Sequence, residues 1–385
     1  MKRAVIVGAG IAGLATALRL HQDGWQVLMA ERAPARRSSG YMVNLIGPGY
    51  DAAERLGLLP ALSAADLGLF TTVLVHADGR PKFAVPSAIA EAALGKRALS
   101  VFRGDLESSL FEAVQDRVDI RFATTVTSVD QDTDRVRVEL SDGTTEQADL
   151  LVGADGVHSA TRTAVFGPDF RVDLPYLVAA FPLTHPVPGV PESSATTYIG
   201  PGRTAAIVNL GPERSSAFFT YRSPEPAADL RRGPVDALRA AFGDLSGGVP
   251  DAIDHLEKNP ASAYFDGVSQ VVMPRWSAGR IVLLGDAAWC VTLFAGHGAA
   301  LALAGADHLG TAVRRHTDDL PAALAEWETG LRPEVGKRQA LARRGMAQYA
   351  PPSRFHVWMS DLTIRAITVP GISGLVRRGI ERANR

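Results

Sequence analysis

The sequence predicts an α/β protein in which an antiparallel sheet is inserted into a parallel-sheet domain and helices follow at the carboxyl end. Three observations carry this prediction. A β-branched run, a glycine-rich turn and an apolar helical repeat follow one another near the amino terminus. Two further buried-strand patterns, near residues 150 and 282, each end in a glycine and an aspartate. Residues 173–270 form short β-rich runs separated by Pro- and Gly-rich turns, which is typical of an antiparallel sheet.

The composition fits a folded protein and excludes several classes of function. The 385 residues include 40 Lys and Arg against 41 Asp and Glu, a balance that argues against binding nucleic acid by neutralising phosphates. The single cysteine, Cys290, excludes an intramolecular disulfide and a cysteine metal cage, and the histidines show no metal-binding spacing. No uncharged apolar run approaches about 18 residues, so no membrane span is predicted. We therefore expect a metal-free protein of the cytoplasm.

The first turn has the pattern of a dinucleotide-binding site. The strand Ala4–Val7 leads into this turn, and a second strand, after the helix, ends at Glu31. Gly8 permits a tight turn, Gly10 lets a pyrophosphate approach the backbone, and Gly13 lets the helix pack on the strand. N–H groups at the helix start bind phosphate, and Glu31 can accept ribose hydroxyls, but the pattern alone does not separate FAD from NAD. The remaining contacts predicted here are Ile11, Ala12 and Arg32.

The second motif follows a buried strand that ends near Val152. Gly153 and Gly156 flank Asp155 at the end of this strand, and Ser159 can begin a helix. Asp155 is predicted to contact the cofactor. The alternative is a turn in which the Asp155 side chain hydrogen-bonds locally.

The third motif combines an acidic turn with a second helix start. The strand Arg280–Leu284 leads to Gly285 and Asp286, and an Ala- and Leu-rich helix runs to about Val313. Asp286 can hydrogen-bond a polyol hydroxyl, or it can cap a helix. The start of the long helix would stabilise negative charge on the N1–C2=O edge of a reduced flavin. The residues predicted to face this ring are Gly296, His297, Gly298 and Ala299.

The three motifs, in this order and spacing, resemble the class A flavoprotein monooxygenases, the para-hydroxybenzoate hydroxylase superfamily. The resemblance covers residues 1 to about 313. Within the superfamily, Gly40–Leu45 and the short total length are similar to the branch that inactivates tetracyclines or tailors polyketides. The resemblance implies a glutathione-reductase-type FAD-binding Rossmann domain, an inserted antiparallel-sheet substrate domain and C-terminal helices. It also implies FAD as the cofactor and NADPH or NADH as a transient reductant.

The resemblance assigns roles to residues outside the glycine turn. Arg103, which stands before a predicted helix, would lie along the FAD, and Arg37 would also touch it. Val126 falls where the family contacts the adenine through its backbone. Asp286 would contact the ribityl-phosphate region. These four contacts extend the predicted FAD site beyond the three turns.

Three positions depart from the family pattern. Leu293 stands near a usual proline, His297 where glutamine is common, and His158 where arginine is common. A protonated His297 would tune the redox state of the flavin, and the alternative is a loop histidine with no special role. Cys290, in the same loop, is expected to be a small buried side chain.

The predicted domains are discontinuous. Residues 1–70, 100–172 and 271–345 form the FAD-binding domain, residues 71–99 and 173–270 the substrate domain, and residues 346–385 a C-terminal helical segment. Helices are predicted over 227–242, 250–256 and 320–344, the last interrupted near Pro333. The C-terminal segment is expected to pack over the pocket and the domain junction, and a membrane-surface helix is the alternative.

Aromatic side chains of the inserted sheet are candidates for a substrate pocket. For each of them, the alternative is ordinary core packing. The residues predicted to line the pocket are Asn44, Phe181, Tyr198, Phe218, Tyr221 and Phe294.

The resemblance implies oxygenation of an aromatic or polycyclic small molecule. NAD(P)H reduces the flavin, O2 adds at flavin C4a, and the resulting hydroperoxide oxygenates an electron-rich carbon. Because the cofactor carries this chemistry, neither an obligatory catalytic residue nor a metal is expected. The leading alternative is a flavoprotein of the same fold that does not oxygenate, such as a cyclase, an isomerase or an oxidase. The sequence fits a monomer or a homodimer.

Overall fold

The computed structural model describes residues 1–36, 41–95 and 97–368. The predicted FAD contact of Arg37 lies outside the described residues, as do Gly40 and the end of the predicted C-terminal segment.

Strands and helices alternate along the described chain. In chain order they are β1 (Arg3–Val7), β2 (Gln26–Ala30), β3 (Met42–Ile46), β4 (Thr71–Val75), β5 (Pro81–Val85), β6 (Ala98–Phe102), β7 (Asp119–Arg121), β8 (Val126–Gln131), β9 (Val136–Leu140), β10 (Thr145–Ala148), β11 (Leu150–Gly153), β12 (Arg171–Leu183), β13 (Ser194–Gly200), β14 (Arg203–Asn209), β15 (Ser215–Arg222), β16 (Tyr264–Val271), β17 (Ser277–Ala278) and β18 (Ile281–Leu283).

The helices connect these strands and form the carboxyl-terminal part of the described chain. In chain order they are α1 (Ile11–Gln22), α2 (Pro48–Arg55), α3 (Leu59–Ala64), α4 (Ser87–Leu94), α5 (Arg103–Val114), α6 (Ala160–Phe166), α7 (Pro226–Arg232), α8 (Pro234–Phe242), α9 (Val249–Lys258), α10 (Asp286–Trp289), α11 (Gly298–Arg315), α12 (Leu320–Tyr349) and α13 (Arg354–Thr368).

A six-stranded sheet in the order β17-β18-β11-β1-β2-β7 forms the centre of the first half of the fold. Its neighbours are parallel except for β17 and β18. Side chains of β1 alternate between two hydrophobic clusters, one shared with α1 and α11 and the other with the small sheet β10-β9-β8. A parallel strand covered on both faces needs a continuous apolar run, which is the pattern seen at Ala4–Val7.

Parallel pairing brings the three motif turns to one edge of this sheet. Val7, at the end of β1, pairs with Gly153 at the end of β11, and Gly153 pairs with Leu283 at the end of β18. The carboxyl ends of neighbouring parallel strands open on the same crevice. The turns that follow β1, β11 and β18 therefore meet, although they are far apart in sequence.

The second large sheet has seven strands in the order β16-β12-β15-β14-β13-β4-β5. It joins strands from 71–85 with strands from 171–271, and only β4 and β13 pair in parallel. One face packs on α8 and α9 through a core that includes Phe181, Phe219 and Leu238. The opposite face borders a cavity. The grouping of these strands into a separate substrate domain stays a prediction.

The helix predicted over 227–242 is two helices. Gly233 has φ +87°, a left-handed conformation that ends α7, and Pro234 begins α8. Glycine followed by proline is a strong helix boundary, since proline fits the first helical position and cannot donate a backbone hydrogen bond.

The interruption predicted near Pro333 does not occur. Helix α12 runs through Pro333 without a break. Trp327, Leu331 and Val335 on either side of it are buried in the core around α1 and α11. This tertiary packing outweighs the single backbone hydrogen bond that proline removes.

The last described helix, α13, lies beside the edge of the seven-stranded sheet. Lys82 Nζ is 2.9 Å from Asp361 Oδ2, and the Arg365 guanidinium lies over the Phe83 ring. The exposed apolar residues of α13 are Phe355, Trp358, Met359 and Leu362. Among the helices of the described chain, none is long and apolar enough to cross a membrane.

A network of charged side chains joins α1, α2 and α11, and all of its members except the half-exposed Arg55 are buried. Asp307 accepts hydrogen bonds from Arg19 Nε at 3.2 Å and from Arg55 Nε at 2.7 Å. Arg19 also pairs with Asp23 at 2.7 Å. The Asp307 side chain is only 3% exposed, so its charge depends on these partners. The network fixes α1, which carries the glycine turn, to α11.

Replacing Asp307 by asparagine removes the shared carboxylate of two arginines. We expect Asp307→Asn to lower the free energy of unfolding by about 3–5 kcal/mol, as when one partner of a buried ion pair is removed. Urea denaturation at pH 7 measures this change. Asp78→Asn is the control, because its pair with Arg80 is largely exposed and should matter far less. Equal stabilities of the two variants would contradict the role given to the buried network.

Candidate functional site

The glycine turn after β1 is built on close backbone contacts. Gly8 has φ +99°, and a Cβ there would lie 2.5 Å from the carbonyl oxygen of Ala154 in the next turn. A Cβ at Gly13 would lie 1.9 Å from the Gly8 carbonyl oxygen. Both glycines are therefore required by the fold itself.

Gly10 differs from these two, because open space surrounds it. No atom of the described chain lies within 4 Å of the position that its Cβ would take. Gly10 is the N-cap of α1, and no side chain caps this helix start. Gly10, Ile11 and Ala12 all line the cavity. An uncapped helix start beside open space is the arrangement that binds a pyrophosphate.

The Glu31 carboxylate is fixed next to the glycine turn. Its two oxygens accept the N–H groups of Ala9 and Ala33, each at 2.7 Å. Each carboxylate oxygen has a second lone pair, which suits a ribose hydroxyl. The contact predicted for Glu31 therefore fits its observed position.

The segment predicted to meet the adenine runs beside Glu31. The Thr124 N–H donates to the Glu31 carbonyl at 2.9 Å, and the Ala123 N–H donates to the Ala33 carbonyl at the same distance. Val126 begins β8 and packs against the core of the small sheet. Arg32 is exposed. The cofactor contacts of Val126 and Arg32 stay predictions.

Asp155 caps its own turn. Its carboxylate accepts the Ser159 hydroxyl at 2.5 Å and both the N–H and the hydroxyl of Thr161 at 3.0 Å. The cavity wall at this turn is made by Ala154, Gly156 and Val157 instead. These bonds match the alternative, a locally hydrogen-bonded turn, and the cofactor contact of the Asp155 side chain stays a prediction.

Arg162 joins the second motif to the third. Its side chain is buried and donates to the Val157 carbonyl at 2.8 Å and to the Ala287 carbonyl at 3.0 Å. The sequence pattern assigns no role to Arg162. The arginine fixes the two turns relative to each other.

The third motif lies directly against the first. Gly285 has φ +67°, and a Cβ there would lie 2.7 Å from the Ala12 Cβ. Asp286 follows as the first residue of α10, lines the cavity and is accessible to solvent there. Burial raises the pKa of the Asp286 carboxyl, and the charge of Arg103 opposes this shift. Cys290 is buried beside it, as predicted.

The start of α11 opens on the same cavity. Gly296, Gly298 and Ala299 line it, and no atom of the described chain lies within 4 Å of a Cβ placed at Gly296 or Gly298. His297 also lines the cavity, and its Nδ1 bonds to the Ala295 carbonyl. Burial lowers the pKa of His297, which favours the neutral ring. The protonated His297 predicted as a redox tuner is therefore disfavoured near neutral pH.

Two tyrosines without a sequence signal of their own complete this end of the cavity. The rings of Tyr41 and Tyr264 are 5.5 Å apart, and the Arg103 guanidinium is 5.7 Å from the Tyr41 ring centroid. Arg103 also pairs with Glu107 at 2.5 Å. Burial raises the pKa of Tyr41 to about 12 and that of Tyr264 well above its usual value. Both tyrosines therefore present neutral hydroxyl groups.

The open face of the seven-stranded sheet forms another wall of the cavity, which we call the sheet wall. We restrict this name to seven lining residues of β4, β13, β14 and β15, namely Thr72, Ala195, Thr197, Ala206, Val208, Ser216 and Phe218. Asn44 and Phe294, both predicted for the pocket, line the cavity from other elements. Phe218, also predicted to line the pocket, lines the cavity as part of the sheet wall.

Three predicted pocket residues lie on the opposite face of the same sheet. Phe181 stacks on Phe219 in the core, and Tyr198 packs against that core. Tyr221 is buried there, with its hydroxyl 3.3 Å from Asp229. Side chains alternate between the two faces of a strand. On β15, Phe219 and Tyr221 are one and three residues from Phe218, so their side chains point to the opposite face of the sheet.

The geometry fits FAD in several independent ways. The uncapped start of α1, the cavity-facing Asp286 and the open glycines at the start of α11 border one crevice. The Glu31 carboxylate is held next to this helix start by the Ala9 N–H. Among the described residues, no cluster of His, Cys, Asp and Glu has the geometry of a metal site.

A side chain at Gly10 should separate cofactor binding from folding. Gly10→Val fills the open space beside the helix start, so we expect FAD binding to be lost while the stability changes by at most about 1 kcal/mol. Flavin absorbance after incubation with FAD and urea denaturation measure the two quantities. Gly330→Val is the matched control, since its Cβ position is equally open but lies on exposed α12. Normal flavin content in Gly10→Val would contradict the pyrophosphate site.

Comparisons with known proteins agree with this site. The model of the FAD binding domain family matches residues 2–318. The FAD-dependent urate hydroxylase of Mycolicibacterium vanbaalenii is 30% identical over 337 residues, which cover 85% of this chain and 83% of the relative. The FAD-dependent monooxygenase asL4 of Sarocladium schorii is 29% identical over 400 residues, covering 95% and 92%.

A solved structure supports the same assignment at the level of the fold. The crystal structure of tetracycline destructase Tet(55) superposes with a TM-score of 0.79 at 26% identity, and the match covers 95% of this chain and 96% of that one. The family model and these relatives confirm the resemblance that the three motifs predicted, its fold class and its FAD cofactor. The chain therefore belongs to the FAD binding domain family, as a FAD-dependent monooxygenase of class A.

Proposed function

We propose that this monooxygenase hydroxylates an aromatic or polycyclic small molecule, with O2 as the oxygen source and NADPH or NADH as the reductant. One observation carries the proposal: a continuous cavity borders both the motif turns and the sheet wall. Gly10, Asp286 and Gly298 line it from one side, and Thr197 and Phe218 from the other. When bound, FAD supplies the acceptance of hydride and the reaction with O2.

The chain would hold the FAD at both ends. The N–H groups at the start of α1 bind the pyrophosphate, and Glu31 binds the adenosine ribose. Asp286 would contact the ribityl part, and the start of α11 at Gly298 would hold the ring. The positive end of this 18-residue helix stabilises negative charge on a reduced ring.

The residues around the ring end of the cavity bring positive charge and neutral hydroxyl groups to it. Arg103 brings a permanent positive charge, and the two tyrosines, Tyr41 and Tyr264, stay protonated because burial raises their pKa values. Burial also raises the pKa of the Asp286 carboxyl at this end of the cavity. These groups would orient the flavin and the substrate, while the apolar part of the sheet wall excludes water.

The remaining parts of the proposal rest on broader features. The near-zero net charge supports a protein without nucleic-acid partners, and we place it in the cytoplasm as a monomer or homodimer. The shared sheet of strands from 71–85 and 171–271 supports the proposed division into an FAD-binding domain and an inserted substrate domain.

Reduction and reoxidation of the flavin test the reaction class. Anaerobic NADPH or NADH should bleach the visible flavin bands, and air should restore them. An aromatic or polycyclic compound should increase the rate of O2 uptake, measured with an oxygen electrode. A flavin that neither nicotinamide reduces would contradict the proposal and favour a non-oxygenating flavoprotein.

The contact proposed for Arg103 predicts a loss of FAD retention. Removing a charged hydrogen-bonding group weakens binding by about 1.5–3 kcal/mol, so Arg103→Ala should raise the FAD dissociation constant about 10- to 100-fold. Combining it with Glu107→Gln avoids an unpaired buried carboxylate. Arg97→Ala is the control, since Arg97 pairs with Asp51 and Glu54 on the surface. An unchanged FAD dissociation constant would contradict the proposed FAD contact and leave Arg103 with a structural role.

A further inference from the structure

The sheet wall consists of two rows of side chains that cross neighbouring strands. The first row, in register on β4, β13, β14 and β15, is Thr72, Ala195, Val208 and Ser216. The second row, on β13, β14 and β15, is Thr197, Ala206 and Phe218. Every one of these side chains is uncharged, and all except Phe218 are small.

Small side chains in two rows leave a broad, flat surface. Four strands spaced about 4.8 Å apart span about 14 Å, and two rows separated by two residues span about 7 Å. A tricyclic or tetracyclic ring system lying flat covers this area, whereas a single ring leaves most of it wet. Phe294 and Tyr349, stacked with centroids 5.1 Å apart, add aromatic surface to the same cavity.

The sheet wall offers no positively charged partner for an anion. None of the charged residues of the seven-stranded sheet, all of whose strands are described, lines the cavity. The charged cavity residues Arg103 and Asp286 belong to the cofactor side, and Arg103 is already paired with Glu107. A carboxylate buried against the sheet wall would lose its hydration with no positive charge to compensate, and neutral hydroxyl groups alone leave that burial unfavourable.

Hydroxyl groups on the sheet wall are open to a ligand. Thr72, Thr197 and Ser216 line the cavity, and within the described chain their side-chain oxygens make no hydrogen bond. A hydroxyl both donates and accepts, so it pairs with a carbonyl or a hydroxyl of a neutral compound. The wall thus combines apolar area with three polar contacts for uncharged oxygen substituents.

We infer that the substrate is an uncharged, flat, polycyclic compound with carbonyl or hydroxyl substituents, and that the sheet wall selects against aromatic acids. This inference rests on the proposed function and names the substrate class of the same site. The residues that determine the selection are Thr197, Ala206 and Ser216, which hold the centre of the wall free of charge and bulk.

Ligand binding to the FAD-loaded enzyme, without NAD(P)H, tests the inference. The probes are a neutral hydroxyanthraquinone, the same ring system carrying a carboxylate, and urate, and the change in flavin absorption gives each dissociation constant at pH 7. We expect the neutral tricycle to bind at least about ten-fold more tightly than either anion. Equal or tighter binding of the carboxylate or of urate would overturn the inference. Because the readout is binding, absent O2 uptake would contradict the proposed function instead.

A cation placed on the sheet wall should reverse the preference. Thr197→Arg should shift the ratio of the two anthraquinone dissociation constants about ten-fold or more toward the carboxylate. Thr145→Arg is the matched control, because it adds the same charge to an exposed strand position on the small sheet. Ala206→Lys provides a second variant with a cation in the cavity. If neither variant folds, the dissociation constants of the three probes for the wild-type enzyme still test the inference. An unchanged ratio in a folded cavity variant would overturn the assignment of selectivity to the sheet wall.

Discussion

The alignment of β1, β11 and β18 is the constraint on which the rest of the site depends. Because these strands are parallel and in register, the three turns that follow them crowd into one crevice. The crowding is severe enough that Gly8 touches Ala154 and Gly285 touches Ala12 at distances that exclude a side chain. Gly10 is spared from this crowding, and the open space beside it suits the cofactor.

Polar side chains then hold the crowded turns in place. Arg162 connects the second turn to the third through two backbone carbonyls, and Asp155 closes its own turn. Gln339 of α12 donates to the Val271 carbonyl at 2.7 Å, which ties the long helix to β16. Asp307 joins α1 to α2 and α11. The cofactor side of the cavity is thus fixed by buried charges and by hydrogen bonds to the backbone.

The substrate side works by a different principle. One face of the seven-stranded sheet carries large residues such as Phe181 and Phe219, which build a core with α8 and α9. The other face carries small, uncharged residues and leaves a flat surface beside the motif turns. A single sheet therefore stabilises the fold with one set of alternating side chains and shapes the pocket with the other. The proposed selectivity for uncharged, flat substrates follows because the residues of the cavity face are small and carry no charge.

The sequence by itself determined the three glycine turns, the strands that precede them, Glu31 and the start of α11, because each has a residue pattern that is local in sequence. The contacts that make some of these residues necessary, such as Gly8 with Ala154, are not local. The predicted single helix over 227–242 missed the break at Gly233, although the Gly-Pro signal for it is local. The interruption predicted at Pro333 was wrong, because tertiary packing outweighs local preference there. Only the tertiary structure decided that Phe218 faces the cavity while Phe181, Tyr198 and Tyr221 face the core. The physical reason is that a strand pattern shows alternation, whereas the helices that pack on one face decide which of its two sides stays open.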